Sequence, residues 1–125
     1  MFSHIMIGTN DLDRAKAFYD KVLGALGIAP AMVDGHRIFY RTPTGVFSVT
    51  KPINGEPATH ANGGTILFSA DSDEQVHAWY EAGLANGGTC EGKAEPKPQT
   101  GGKIGAYLRD PDGNKLGCYH GLVIG

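Results

Sequence analysis

The sequence predicts an α+β fold of two tandem β-α-β-β-β modules. Three observations predict it. The chain repeats its own pattern, with residues 4–27 matching 65–88 at a constant spacing of 61. Each repeat opens with a short apolar run followed by an apolar stripe of helical period. Each then closes on two strand-like runs joined by a tight turn. A length of 125 residues suits one compact domain rather than two independent ones.

Taken in order, Ile5–Thr9 is the first strand. Asn10 is the expected helix cap, with Asp13 three residues on. The helix that follows places Ala15, Phe18, Tyr19, Val22 and Leu23 on one face, and Gly24 and Gly27 supply its stop. Ala31–Val33 is a weak strand. HRIFYRT and VFSVTKP are stronger ones, joined by a turn at TPTG. Module one thus spans about residues 1–52, and the polar run 53–63 connects it to module two, about residues 64–121.

The second module restates the first. Ile66–Ala70 is its strand, Asp71 its expected cap with Glu74 three residues on, and Val76, Trp79, Tyr80, Gly83 and Leu84 its stripe. Gly87 and Gly88 end the helix, and Thr89–Glu91 is a weak strand. EGKAEPKPQTGG (91–102) reads as loop by composition. KIGAYLR and NKLGCYH are strands around the turn DPDGN. YRTPTGVFSV (40–49) matches LRDPDGNKLG (108–117) at a spacing of 68, which sets Arg41 on Arg109, Gly45 on Gly113 and Val49 on Gly117. In DPDGN, proline fixes φ and Asp, Gly and Asn suit turn positions, so a hairpin turn accounts for every residue. An acidic metal site is the other reading of its two aspartates.

Net charge is −2, with no basic run, so nucleic acid and an anionic membrane surface are not expected partners. No apolar run reaches the ~18 residues of a membrane-spanning helix, and the N-terminus reads as strand then helix rather than signal peptide. Cys90 and Cys118 are too few and too far apart for a zinc motif or a disulfide framework, and a reduced, cytoplasmic setting is expected.

The paired modules, the histidine beside the first strand and the RDPDGN turn resemble the vicinal-oxygen-chelate superfamily, from Ser3 to about Gly121. That superfamily includes glyoxalase I, extradiol dioxygenases, fosfomycin-resistance transferases and bleomycin-resistance proteins. The resemblance implies that the two modules form a curved, cleft-bearing mixed sheet, and it implies homodimers, in some relatives with sites formed between subunits. It also implies that metal-binding members place ligands on the first and last strands of each module, at positions matching His4, Val49, Thr65 and Gly117. Only His4 is a ligand-type residue. A divalent ion needs several converging lone pairs, which valine and glycine side chains lack. No cofactor is therefore expected, although a divalent metal held by unusual or partner-subunit residues is the alternative. His36, His60, His77 and His120 share no ligand-like spacing.

Strand alternation places His4, Met6, Phe47, Val49, Thr65, Leu67, Ser69, Gly117 and Tyr119 around the cleft. The expected cleft is mostly apolar and aromatic with a few polar groups, the profile of a small-molecule site. Phe39 and Tyr107 match in position, on a face the pattern leaves open. The expected function is binding of a small, partly aromatic or apolar molecule without the full metal-ligand set. The alternative is a lyase, isomerase or dioxygenase of the same superfamily, with His4 as a candidate base and glyoxalase I activity disfavoured.

Overall fold

The computed structural model describes residues 1–122. Module one runs β1 (Ile5–Gly8), α1 (Leu12–Gly24), β2 (Met32–Asp34), β3 (Arg37–Thr42) and β4 (Gly45–Thr50). Module two runs β5 (Ile66–Ala70), α2 (Asp73–Ala85), β6 (Thr89–Lys97), β7 (Lys103–Arg109) and β8 (Lys115–His120). Each module is one four-stranded sheet, ordered β1-β4-β3-β2 and β5-β8-β7-β6. In each, the first and last strands pair in parallel and the other pairings are antiparallel.

One face of each sheet lies under its helix. Ala15, Phe18, Tyr19, Val22 and Leu23 of α1 are buried, with Ile38, Tyr40, Phe47 and Val49 beneath them. The Tyr19 ring lies 5.0 Å from that of Phe47. From α2, Val76, Trp79 and Gly83 are buried over Ala106, Leu108, Leu116 and Cys118. A Cβ at Gly83 would stand 2.2 Å from Leu108 Cδ1, so any larger residue there would force the Leu108 side chain to move. Leu84, expected in the buried stripe, is exposed, and Tyr80 is half-buried.

Three boundaries differ from the sequence reading. The helix caps are Asp11 and Ser72, one residue later than Asn10 and Asp71. Asp11 accepts from Arg14 N and Ser72 Oγ from Gln75 N. Asn10 is used elsewhere, clasping the connector through both Ala58 N and Ala58 O. Residues 91–97, expected as loop, extend β6 through two bulges before a single 3-10 turn at Pro98–Thr100. β6 is an edge strand, where Pro96 costs no ladder bond on its outer side.

The third difference is one of register. Ile5 pairs with Phe47 and Ile66 pairs with Leu116, so Phe47 is the structural counterpart of Leu116 and Ser48 that of Gly117. Across the hairpins, Arg41 pairs with Val46 while Arg109 pairs with Lys115. Four residues separate the first pair and five the second, so DPDGN holds one residue more than its partner. The ungapped match therefore slips by one across the turn. In a strand, that slip exchanges the two faces.

The DPDGN turn also locks the modules together. Asp110 is buried and accepts from Asp112 N, Asn114 N and Asn114 Nδ2, each at 2.9 Å, and from the Tyr19 hydroxyl of α1. Asp112 reaches back to module one, accepting from Thr9 Oγ1, from Asn10 N at 2.9 Å and from Arg14 Nη2 at 2.8 Å. These donors occupy the carboxylates, so the two aspartates are turn and clasp residues rather than a metal site.

Candidate functional site

The structure distributes the nine expected site residues over three places. Phe47 and Val49 are a correction: both pair in register with Ile5 and Ile7 on the helix side, and Val49 is wholly buried. They do not share a face with Met6, whose neighbour across β1 and β4 is Ser48. The open face of module one carries Met6, Ser48 and Phe39, with His4 exposed just before β1. His4 Nδ1 is 2.7 Å from Ser3 Oγ, a neutral neighbour.

In module two the alternation holds. Leu67 pairs with Gly117 and Ser69 with Tyr119, all on the face away from α2, while Cys118 is buried beneath the helix. Burial pushes the Cys118 thiol up to about 12. Thr65 is exposed just before β5. The Tyr107 and Tyr119 rings meet edge-to-face, their hydroxyls 3.0 Å apart. Burial, then the hydrogen bond to Tyr107, pushes Tyr119 up to about 12. Gly105 and Gly117 provide floor space, since a Cβ on either would overlap the Tyr119 or Tyr107 ring.

The two open faces do not enclose a cleft within one chain. The sheets meet instead at Phe47 and Phe68, whose rings are 5.3 Å apart. Beside this contact lies a cavity of about 660 Å³. Its walls are the end of α1, the β3–β4 hairpin and β5. Phe47, Leu67 and Ser69 are the expected site residues that line it. Leu26, Ile28 and Tyr40 add apolar wall, and Arg41 and Asp71 add charge. The Arg41 guanidinium lies 5.1 Å from the centroid of the Phe39 ring. No local pattern marks these added residues, because the cavity exists only where one module abuts the other.

The family model described as "Glyoxalase/Bleomycin resistance protein/Dioxygenase superfamily" matches residues 1–117. The chain belongs to this superfamily. The chain is similar to a glyoxalase/bleomycin resistance protein from Albidiferax ferrireducens T118, with 53% identity and a TM-score of 0.91 over 96% of this chain and 98% of that one. It is also similar to a lactoylglutathione lyase from Agrobacterium tumefaciens, with 25% identity and a TM-score of 0.69 over 100% and 96% of the two chains. A glyoxalase-related enzyme from Fulvimarina pelagi, 23% identical with a TM-score of 0.78 over 96% and 87%, shares the fold. No curated protein matches the chain.

The superfamily implies a divalent metal, and the residues at the equivalent positions do not fit one. With the register corrected, those positions are His4, Ser48, Thr65 and Gly117. They offer one imidazole, two neutral hydroxyls and no side chain. Ser48 is buried and its Oγ already donates to Ile5 O at 3.0 Å. Pairing of two copies multiplies the same poor donors. Among the described residues, no three His, Cys, Asp or Glu side chains gather where they would hold a metal ion. No helix of the described residues is long and apolar enough to cross a membrane.

Proposed function

We propose that this protein binds a small, partly aromatic or apolar molecule in the cavity between its modules, without the metal-ligand set of its metal-using relatives. The observation that carries this reading is the cavity. A volume of about 660 Å³ falls in the range of small-molecule sites. Phe47, Phe68 and Ile28 supply apolar and aromatic wall, and Ser69, Asp71 and Arg41 supply a few polar groups to orient a ligand. The lyase named among the similar structures does not extend to this chain, because a metal-polarised reaction needs donors that His4, Ser48, Thr65 and Gly117 do not provide.

A homodimer accompanies this reading. Met6, Met32 and Val33 on the first sheet and Leu67 on the second are large apolar side chains left exposed by the single chain. A second copy of the chain is the partner that buries them.

The test is a thermal-shift screen of neutral aromatic compounds against the native protein and against Ala29→Trp, which puts an indole into the cavity from an exposed wall position. Ligands that stabilise the native protein and not the variant support the reading. Hits that stabilise both equally refute the cavity as the site. A stoichiometric, tightly held divalent ion in the purified protein refutes the metal-free part. Light scattering checks the dimer, whose mass would be twice 13.2 kDa.

A further inference from the structure

Asparagine precedes glycine at three places in the chain: Asn54–Gly55, Asn62–Gly63 and Asn86–Gly87. This pair carries a chemistry of its own. The glycine nitrogen can close a five-membered ring on the carboxamide carbon of the asparagine, and glycine has no Cβ to crowd the approach. Closure needs two freedoms. The glycine N–H must lose its proton, and the carboxamide must turn onto the nitrogen. A hydrogen bond held by either group opposes the reaction.

The fold treats the three pairs differently. Asn54 Oδ1 accepts from Glu56 N at 3.0 Å, and Gly55 N donates to Pro52 O at 3.2 Å, so both reacting groups are held. Asn86 is half-buried at the end of α2, and its Nδ2 donates to Ala82 O at 2.8 Å. Asn62 is exposed, in a turn closed by Gly64 N on Ala61 O at 3.3 Å. Among the described residues, neither its carboxamide nor Gly63 N has a hydrogen-bond partner. A Cβ built on Gly63 would meet nothing within 4 Å, so the space around the ring-closing nitrogen is open. The remaining asparagines, Asn10 and Asn114, precede Asp11 and Lys115 and have committed side chains.

We propose that Asn62 is a site of spontaneous deamidation, selected by the freedom of its turn in the connector. Base removes the Gly63 N–H proton, and the nitrogen bonds to Asn62 Cγ. The Cγ–Nδ2 bond breaks, and ammonia leaves with a proton from water. Water then opens the cyclic imide at either carbonyl, giving aspartate or its β-linked isomer. One water is gained and one ammonia lost, with no change of oxidation state. The product adds one negative charge to a chain of net charge −2. Its β-linked form also adds one carbon to the main chain, three residues before Thr65. The reaction uses no residue of the cavity and none of the apolar side chains assigned to the dimer, so it stands apart from both readings.

The test is to age the full chain at mildly alkaline pH, natively and in urea, and to follow each Asn–Gly pair by peptide mapping with tandem mass spectrometry. In the native protein Asn62 is expected to react at least about fivefold faster than Asn54 or Asn86, the factor that freeing one hydrogen bond corresponds to. In urea the three rates are expected to converge within about twofold, since the restraints on Asn54 and Asn86 are gone. Asn62→Gln, at an exposed position without a side-chain partner, is expected to remove the fast native phase while leaving the urea rates of the other two unchanged. Native reaction of Asn54 or Asn86 as fast as that of Asn62 would overturn the proposal. So would an Asn62 that reacts in urea but not in the native protein. The same order of rates in both conditions would overturn it too, because local sequence rather than the fold would then set the site.

Discussion

Replacing Asp112 with alanine removes the clasp between the second module's turn and the first module's helix entrance, and the structure sets the size of the loss. The Asp112 side chain is 3% exposed and accepts from three donors. The Thr9 hydroxyl is wholly buried, and a hydrogen bond to a charged partner at such a site contributes about 1.5–3 kcal/mol. The Asn10 N–H, at a more exposed backbone position, adds about 1 kcal/mol. Arg14 is 45% exposed, so solvent screening holds its ion pair below about 1 kcal/mol. Together Asp112→Ala is expected to lose about 3–5 kcal/mol, a large part of the roughly 5–15 kcal/mol that stabilises a typical domain. Asp112→Asn, which keeps one acceptor oxygen but no charge, is expected to lose about half as much. Urea unfolding followed by fluorescence of Trp79, the single tryptophan and fully buried, measures both. A loss under about 1 kcal/mol for Asp112→Ala, or an equal loss from an exposed control such as Asp34→Ala, would refute the reasoning.

Two further outcomes follow from buried or paired groups. For Asp20, burial alone raises the pKa, but the Lys16 ammonium, the Ala31 N–H and the Tyr40 hydroxyl together hold it below the usual aspartate value. A lowered folded-state pKa gives stability that is complete above the unfolded value of about 3.9 and is lost as pH falls through the folded one. Asp20→Asn is therefore expected to flatten the acid limb of stability against pH, and an unchanged limb in urea titrations below about pH 4 would contradict this. Cys90 is exposed whereas Cys118 is buried with its thiol pushed up to about 12. A thiol reagent at pH 8 should titrate one cysteine in the native protein and two after unfolding, and two rapid native reactions would show that β8 opens readily.

The faces of β4 show where local pattern stops being sufficient. VFSVT alternates cleanly, so that Phe47 and Val49 share one face and Ser48 the other is legible from the residues. Which set meets the helix is not, because the repeat that relates β4 to β8 passes through turns of unequal length. TPTG and DPDGN look alike, yet the second holds one more residue between its flanking pairs. The matched glycines, Gly45 and Gly113, hide this. Gly113 has φ +89 in the turn, whereas Gly45 already opens β4. In module two, where no turn had to be crossed to relate β5 to the alternation of β8, Leu67, Ser69, Gly117 and Tyr119 fall on one face as expected.

The sequence by itself determined the two modules, their helices and the alternation within each strand, because apolar periodicity and turn residues act over a few residues. It also determined the superfamily, through a repeat and a turn spread along nearly the whole chain. Only the tertiary structure decided that Ser48 rather than Val49 is the counterpart of Gly117, since backbone pairing between distant strands sets that register. Only the tertiary structure, too, decided that Asp112 clasps Thr9, and that a cavity lies beside the contact of Phe47 with Phe68. Those arrangements join residues tens of positions apart, and their geometry depends on how one module's surface packs against the other's.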